Sequence, residues 1–184
     1  KEVSICYGMT ETSPVSTQTL IGAPLEKQVS TVGTIQDHLE IKIVNPDTGE
    51  IVERGLPGEL CTRGYSVMLK YWENPEATHQ VLDDAGWMHS GDLAVMDEEG
   101  YINIAGRIKD VIIRGGENIS PREIEEFLYT HDLIEDVQVI GVPSEKFGEE
   151  IMAWIKLILI KIKRFRHTLL NGLKPIFNNI YMSR

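Results

Sequence analysis

Three short stretches of this chain carry side chains whose types could do chemistry. The first is Tyr7-Gly8-Met9-Thr10-Glu11-Thr12, where Gly8 stops a β-prone run and leaves the polar residues on a loop. A threonine there offers a hydroxyl donor, and a glutamate offers a hard oxygen ligand suited to Mg2+. The plainer reading is a Thr10 hydroxyl that caps a turn. The second is Asp92, which follows Ser90-Gly91; a glycine at that place lets the backbone approach a ligand closely. A carboxylate can accept two hydroxyls at once, or it can be a solvated turn aspartate ahead of the apolar run Leu93-Ala94-Val95. The third is Arg107, whose planar fork suits sugar or phosphate oxygens. A surface ion pair of small energetic weight is its alternative.

The elements around them follow from pattern and punctuation. Residues 3–7 form a short β-prone run, and Leu39-Glu40-Ile41-Lys42-Ile43-Val44 alternates as a half-buried strand does. Asn45-Pro46-Asp47-Thr48-Gly49 reads as a turn before a short strand at Ile51-Val52, and Pro57-Gly58 punctuates again before Glu59-Leu60-Cys61-Thr62-Arg63. Residues 33–71 are therefore predicted to form a small antiparallel β-unit. Asn74 as N-cap and Pro75 at the first helical position open a short helix to about Leu82. A turn at 83–87 follows, and residues 96–101 join two more strands, the second being 101–105.

After Gly106 the texture changes. Val111-Ile112-Ile113-Arg114 is a strand that ends at Gly115-Gly116. Ser120-Pro121-Arg122-Glu123 is a capping box with proline at the first position, and the helix it starts places Ile124, Phe127 and Leu128 on one face. His131 and Asp132 end it. Strands at 137–142 and 151–160 follow, separated by a loop with Pro143 and Gly148. One helix face among strands predicts a small α+β domain beginning near Lys109.

Four motifs in order carry a resemblance: Tyr7-Gly8-Met9-Thr10-Glu11-Thr12, Gly58-Glu59-Leu60-Cys61-Thr62-Arg63-Gly64, Gly86-Trp87-Met88-His89-Ser90-Gly91-Asp92-Leu93, and Gly106-Arg107-Ile108-Lys109-Asp110. Over about residues 3–157 the chain resembles the adenylate-forming superfamily, and within it the mitochondrial medium-chain fatty acyl-CoA synthetases. The resemblance implies an α+β fold: a distorted antiparallel β-unit followed by a small, truncated α+β domain. Residues 1–107 would end the large AMP-binding domain, 108–157 would be part of the small C-terminal domain, and 158–184 a divergent basic tail without stable order.

The resemblance also assigns roles. It implies Tyr7 beside the adenine, Thr10 near phosphate, Asp92 on the ribose hydroxyls, Arg107 on the nucleotide and Glu11 toward Mg2+. Lys109 matches the hinge at which the small domain swings, although an exposed linker lysine is an equal reading. Gly115 and Gly116 would face the CoA pantetheine path, or simply make a tight turn. Trp87 and His89 are expected to pack or to hold the loop and not to catalyse, and Glu59 to anchor the β-unit.

The implied activity is an ATP-dependent fatty acid–CoA ligase that uses ATP, Mg2+ and CoA and passes through an acyl-AMP. It requires a Ser/Thr/Gly-rich phosphate loop and a lysine in a Gly-Lys setting near the C-terminus. Neither occurs in this sequence, so no catalytic residue is assigned and the chain alone is expected to be inactive. A peptide-synthetase adenylation domain and a non-catalytic protein derived from a ligase are the competing readings. The family likeness places the protein in the mitochondrial matrix.

Composition narrows the partners. A net charge of −10 disfavours nucleic acid and anionic membranes. The charge is uneven: residues 158–184 hold six basic groups and no acid, which leaves −16 on residues 1–157. Cys6 and Cys61, far apart and without CxxC spacing, read as small buried hydrophobes in a reducing compartment. The histidines show no metal-ligand spacing, and no apolar run is long enough to cross a bilayer. Lys1 in place of an initiator Met, with neither part of a secretory signal after it, predicts a chain cut from a longer one.

Overall fold

The computed structural model describes residues 3–158, so the basic tail lies outside the described residues beyond Ile158. The chain divides into two compact units, one ending at Val111 and the other beginning at Ile112.

The first unit holds two sheets. A small one runs β1 (Cys6–Tyr7), β2 (Thr17–Gln18), β3 (Thr34–Ile35) in spatial order, with helix α1 (Leu25–Ser30) between its last two strands in sequence. The larger one is an antiparallel meander of β4 (Leu39–Val44), β5 (Pro57–Gly64), β6 (Met88–Met96) and β7 (Ile102–Arg107). Helix α2 (Pro75–Val81) interrupts it between β5 and β6. As predicted, Asn74 caps α2 by accepting a hydrogen bond from the Ala77 N–H at 3.0 Å, and Pro75 stands at the first position.

Each strand of the meander contributes a residue to one core: Ile43, Leu60, Ala94 and Ile102 are buried together, with Tyr7, Val32, Ile41 and Met96 packed against them. Leu60 and Ile102 are fully excluded from solvent. Each such side chain contributes about 1.5–3 kcal/mol relative to exposure, which ties the strands that carry the polar site to one rigid layer. The antiparallel unit expected at 33–71 thus continues through β6 and β7. The strand expected at Ile51-Val52 is only a bridge, with Ile51 opposite Val44.

In the second unit the sheet order is β10 (Ile134–Ser144), β11 (Gly148–Leu157), β8 (Ile112–Arg114), β9 (Glu117–Ile119). Helix α3 (Pro121–Tyr129) packs on it through Ile124 and Leu128, against Ile112, Ile134, Val137 and Val139. The architecture is that of antiparallel sheets with few helices, α+β as predicted.

Several local expectations change. Ser120 takes the N-cap position and Pro121 opens α3, but the Ser120 side chain makes no capping hydrogen bond. Phe127 is 52% exposed, because the apolar stripe that meets the sheet is only as wide as Ile124 and Leu128. Pro143 lies within β10, not in a loop. That strand is at the sheet edge, where a missing N–H is tolerated. Gly115 and Gly116, with φ of 61° and 87°, form a two-residue hairpin turn into β9, a strand the sequence reading missed. Cys61 is buried as expected, whereas Cys6 is exposed on a two-residue strand.

Candidate functional site

Asp92 and Arg107 face each other across β6 and β7. Their pairing depends on a bulge: Leu93 opposes Gly106 but Ala94 opposes Ile104, so Ala105 is the extra residue. The bulge re-aims the end of β7 and places Arg107 directly across from Asp92. Arg107 Nε lies 3.2 Å from Asp92 Oδ1. Tyr7, brought in by β1, donates its phenol hydrogen to Asp92 Oδ2 at 2.7 Å. Asp92 is only 7% exposed, so this carboxylate is a nearly buried charge held by one cation and one neutral donor. Burial, then the bond to Asp92, pushes the Tyr7 phenol far above its ordinary value, so it stays protonated and donating.

The turn before Asp92 is built for this presentation. Gly91 has a φ of 71°, which an L side chain adopts only with strain, and the Asp92 N–H bonds the Ser90 hydroxyl at 3.1 Å. Glu59 on β5 holds the turn from below: Oε1 accepts the Gly91 N–H at 3.0 Å, and Oε2 meets His89 Nδ1 at 2.7 Å. This is the anchoring expected of Glu59 and the loop-holding role expected of His89. Trp87 is stacked by both Lys42 and Arg63, with cation-to-ring distances of 4.5 and 4.4 Å.

Thr10 and Glu11 sit in a 3-10 turn, Thr10–Thr12. The buried Thr12 hydroxyl closes that turn by accepting the Met9 N–H at 3.1 Å. Gly8 is required here, since a Cβ would lie 1.7 Å from the Pro14 carbonyl oxygen. Thr10 is exposed and Glu11 half-buried. Tyr71 donates to Glu11 Oε1 at 2.8 Å, and the Met68 N–H bonds the Glu11 carbonyl at 2.8 Å, so the segment after β5 pins the loop. The bond to Glu11 raises the Tyr71 phenol above its ordinary value, with burial adding to it. Sequence reasoning missed Tyr71, because nothing in the run 68–72 marks one aromatic as facing a residue 60 positions away.

The predicted residues therefore fall into three places. Tyr7, Asp92 and Arg107 are joined directly. Thr10 and Glu11 share the loop that leaves β1. Lys109 is exposed in the 3-10 turn Ile108–Asp110, two residues past Arg107, and Gly115 and Gly116 make the β8–β9 turn of the second unit.

The profile of the AMP-binding enzyme family matches residues 1–72. YngI of Bacillus subtilis (strain 168), which carries the name of an acyl-CoA synthetase, is 57% identical over 157 residues, or 85% of this chain. The chain is thus similar, over most of its length, to one part of an acyl-CoA synthetase, and its first 72 residues match the AMP-binding enzymes. The mitochondrial medium-chain acyl-CoA ligase ACSF2 of Bos taurus is 47% identical to this chain over 157 residues, again 85% of the chain. The crystal structure of ATP-bound MatB from Rhodopseudomonas palustris superposes with a TM-score of 0.79 at 35% identity, covering 84% of this chain. The chain spans 29% of the length of YngI, 26% of the cattle ligase and 30% of the MatB chain.

Proposed function

We propose that the protein carrying this sequence is an ATP-dependent fatty acid–CoA ligase of the medium-chain class. Its two steps are fatty acid + ATP → acyl-AMP + pyrophosphate, then acyl-AMP + CoA → acyl-CoA + AMP. The observation that carries this reading is the nearly buried Asp92, bracketed by Tyr7 and Arg107. Oδ2 accepts the Tyr7 phenol and Oδ1 is ion-paired with Arg107, and each oxygen retains a lone pair, so the group can take both ribose hydroxyls of the nucleotide. Arg107, with its side chain 57% exposed, has donors left for the nucleotide's oxygens.

In this reading Tyr7 flanks the adenine while fixing Asp92, and Thr10 directs its exposed hydroxyl at the phosphate. Tyr71 occupies one oxygen of Glu11 and leaves the other for a hard cation, so the residue present fits Mg2+. When bound, Mg2+ supplies charge stabilisation for the α-phosphate. Lys109 is the hinge between the end of the large domain (1–107) and the small domain (108–157), and Gly115-Gly116 is the CoA-side loop. The medium-chain ligases among the relatives favour the mitochondrial matrix, and the Bacillus relative shows that the same sequence body also occurs in bacteria.

The 184-residue chain by itself makes no acyl-AMP in this account, because it contains neither the phosphate loop nor the Gly-Lys lysine that the chemistry uses. The test is ATP–pyrophosphate exchange with a medium-chain fatty acid. The purified chain should stay at background, and a longer protein that includes this sequence should exchange. Exchange by the chain alone, or none by the longer protein, contradicts the proposal.

A further inference from the structure

The meander gathers three potential metal ligands that no sequence spacing announced. Cys61 opposes His89 across β5 and β6, and Glu59 stands two residues before Cys61. Cys61 Sγ lies 3.5 Å from His89 Nδ1, and that nitrogen lies 2.7 Å from Glu59 Oε2; the three donor atoms all fall within 4.8 Å of one another. On this geometry we propose that Cys61, His89 and Glu59 form a site for a thiophilic divalent cation of the Zn2+ type.

Three features carry it. First, bonds of about 2.3 Å to sulfur and about 2.0 Å to nitrogen at a tetrahedral angle set a ligand–ligand edge of about 3.5 Å, and Sγ and Nδ1 are 3.5 Å apart. The Nδ1···Oε2 edge must open from 2.7 Å to about 3.3 Å, and the edge from Sγ to the Glu59 oxygen, within 4.8 Å here, must come to about 3.5 Å, both through a swing of the carboxylate. Second, one thiolate, one carboxylate and one neutral imidazole balance a dication. Third, a ligating histidine usually gives its other ring N–H to a carboxylate, and here Asp83 Oδ2 faces His89 Nε2 at 3.9 Å. Asp83 is fixed for that role, since its Oδ1 accepts the Ala85 and Trp87 N–H groups at 2.9 and 2.8 Å.

The protons balance. Without metal, His89 Nδ1 and Glu59 Oε2 share a hydrogen bond, and burial with the Glu59 charge pushes the Cys61 thiol up to about 12, so it is protonated. Binding releases the thiol proton to solvent as the sulfur–metal bond forms. With Nδ1 on the metal, the neutral imidazole would carry its proton on Nε2, facing Asp83. The approach is from the His89 side, 31% exposed, because Cys61 lies beneath it with no exposure. Glu59 keeps its Oε1 bond to the Gly91 N–H, so the site lies directly behind the turn that presents Asp92.

The experiment is titration of the full, reduced chain with Co2+ in a Cys6→Ser background, which leaves Cys61 as the sole thiol. A thiolate-to-cobalt charge-transfer band that saturates at one equivalent and is displaced by Zn2+ is expected. Cys61→Ser should abolish the band, and His89→Gln should weaken binding about tenfold or more. Absence of the band, or affinity unchanged in His89→Gln, overturns the proposal. The partly exposed His89 variant decides even where the buried Cys61 variant does not fold.

Discussion

Replacing Tyr7 by Phe removes one hydroxyl and little else, and it isolates the bond that fixes Asp92. The phenol donates at 2.7 Å to a carboxylate that is 7% exposed. A hydrogen bond to a charged group of this kind contributes about 1.5–3 kcal/mol, against about 1 kcal/mol for a neutral pair. Arg107 does not replace it, because its side chain is 57% exposed and the ion pair is weakened by solvent. Tyr7→Phe is therefore expected to lower the stability of the first unit by about 1.5–3 kcal/mol, a fall of roughly 1 M in urea midpoint. The assay is urea unfolding followed by the fluorescence of Trp72 and Trp87, the two tryptophans of the first unit. A Trp154→Phe background silences the second unit, and Trp154 is 67% exposed, so its loss costs little there. Separate monitoring matters because a chain of two units need not unfold as one. Combining Tyr7→Phe with Asp92→Ala closes a double-mutant cycle, and the two effects should couple by about 1.5–3 kcal/mol. A coupling below about 0.5 kcal/mol, the additivity limit, would refute the claim that the phenol holds the carboxylate.

Other consequences are as specific. Tyr71→Phe frees Glu11 from its 2.8 Å bond and should raise the Mg2+ concentration needed for ATP binding by roughly threefold to tenfold, since a bond of about 1 kcal/mol orients the ligand; an unchanged Mg2+ dependence counts against it. Gly8→Ala drives a Cβ to within 1.7 Å of the Pro14 carbonyl, so the Thr10–Thr12 turn should be lost while the meander persists, a difference that amide hydrogen exchange resolves. With metal chelated, iodoacetamide at pH 8 should label Cys6 and spare Cys61 until the protein unfolds. The Cys61 thiol is held up to about 12 against an ordinary 9.0, so the folded state keeps a proton that the unfolded chain gives up. That stabilisation is complete below pH 9.0 and is lost as the pH rises from there toward 12, so the urea midpoint should decline across this window.

Local signals told the truth about local structure. The alternation at 39–44, the Asn74-Pro75 helix start and the glycine before the Thr10-Glu11 loop each had a cause within a few residues, and each stands in the structure. Contacts across strands did not announce themselves. Tyr7 and Asp92 are 85 residues apart, and the Asp92–Arg107 pair depends on a bulge at Ala105 that no periodicity reveals. Glu59 and His89 met for the same reason, through strand register and not through motif spacing. The motif resemblance supplied Asp92 and Arg107 one by one, but their mutual contact, and the phenol that completes it, needed three dimensions. Phe127 failed in another way: a helix stripe marks what can be buried, and the width of the opposing sheet decides what is.

In the proposed function, Asp92 reads the ribose of an adenine nucleotide. The most direct measurement compares the affinity of the chain for AMP and for 2′,3′-dideoxy-AMP, in the native protein and in Asp92→Ala. Two hydroxyls bonded to one carboxylate make AMP the tighter ligand by roughly 10–100-fold. The native chain should show that preference and Asp92→Ala should show none. An equal preference in both proteins, or no preference in the native chain, would contradict the assignment.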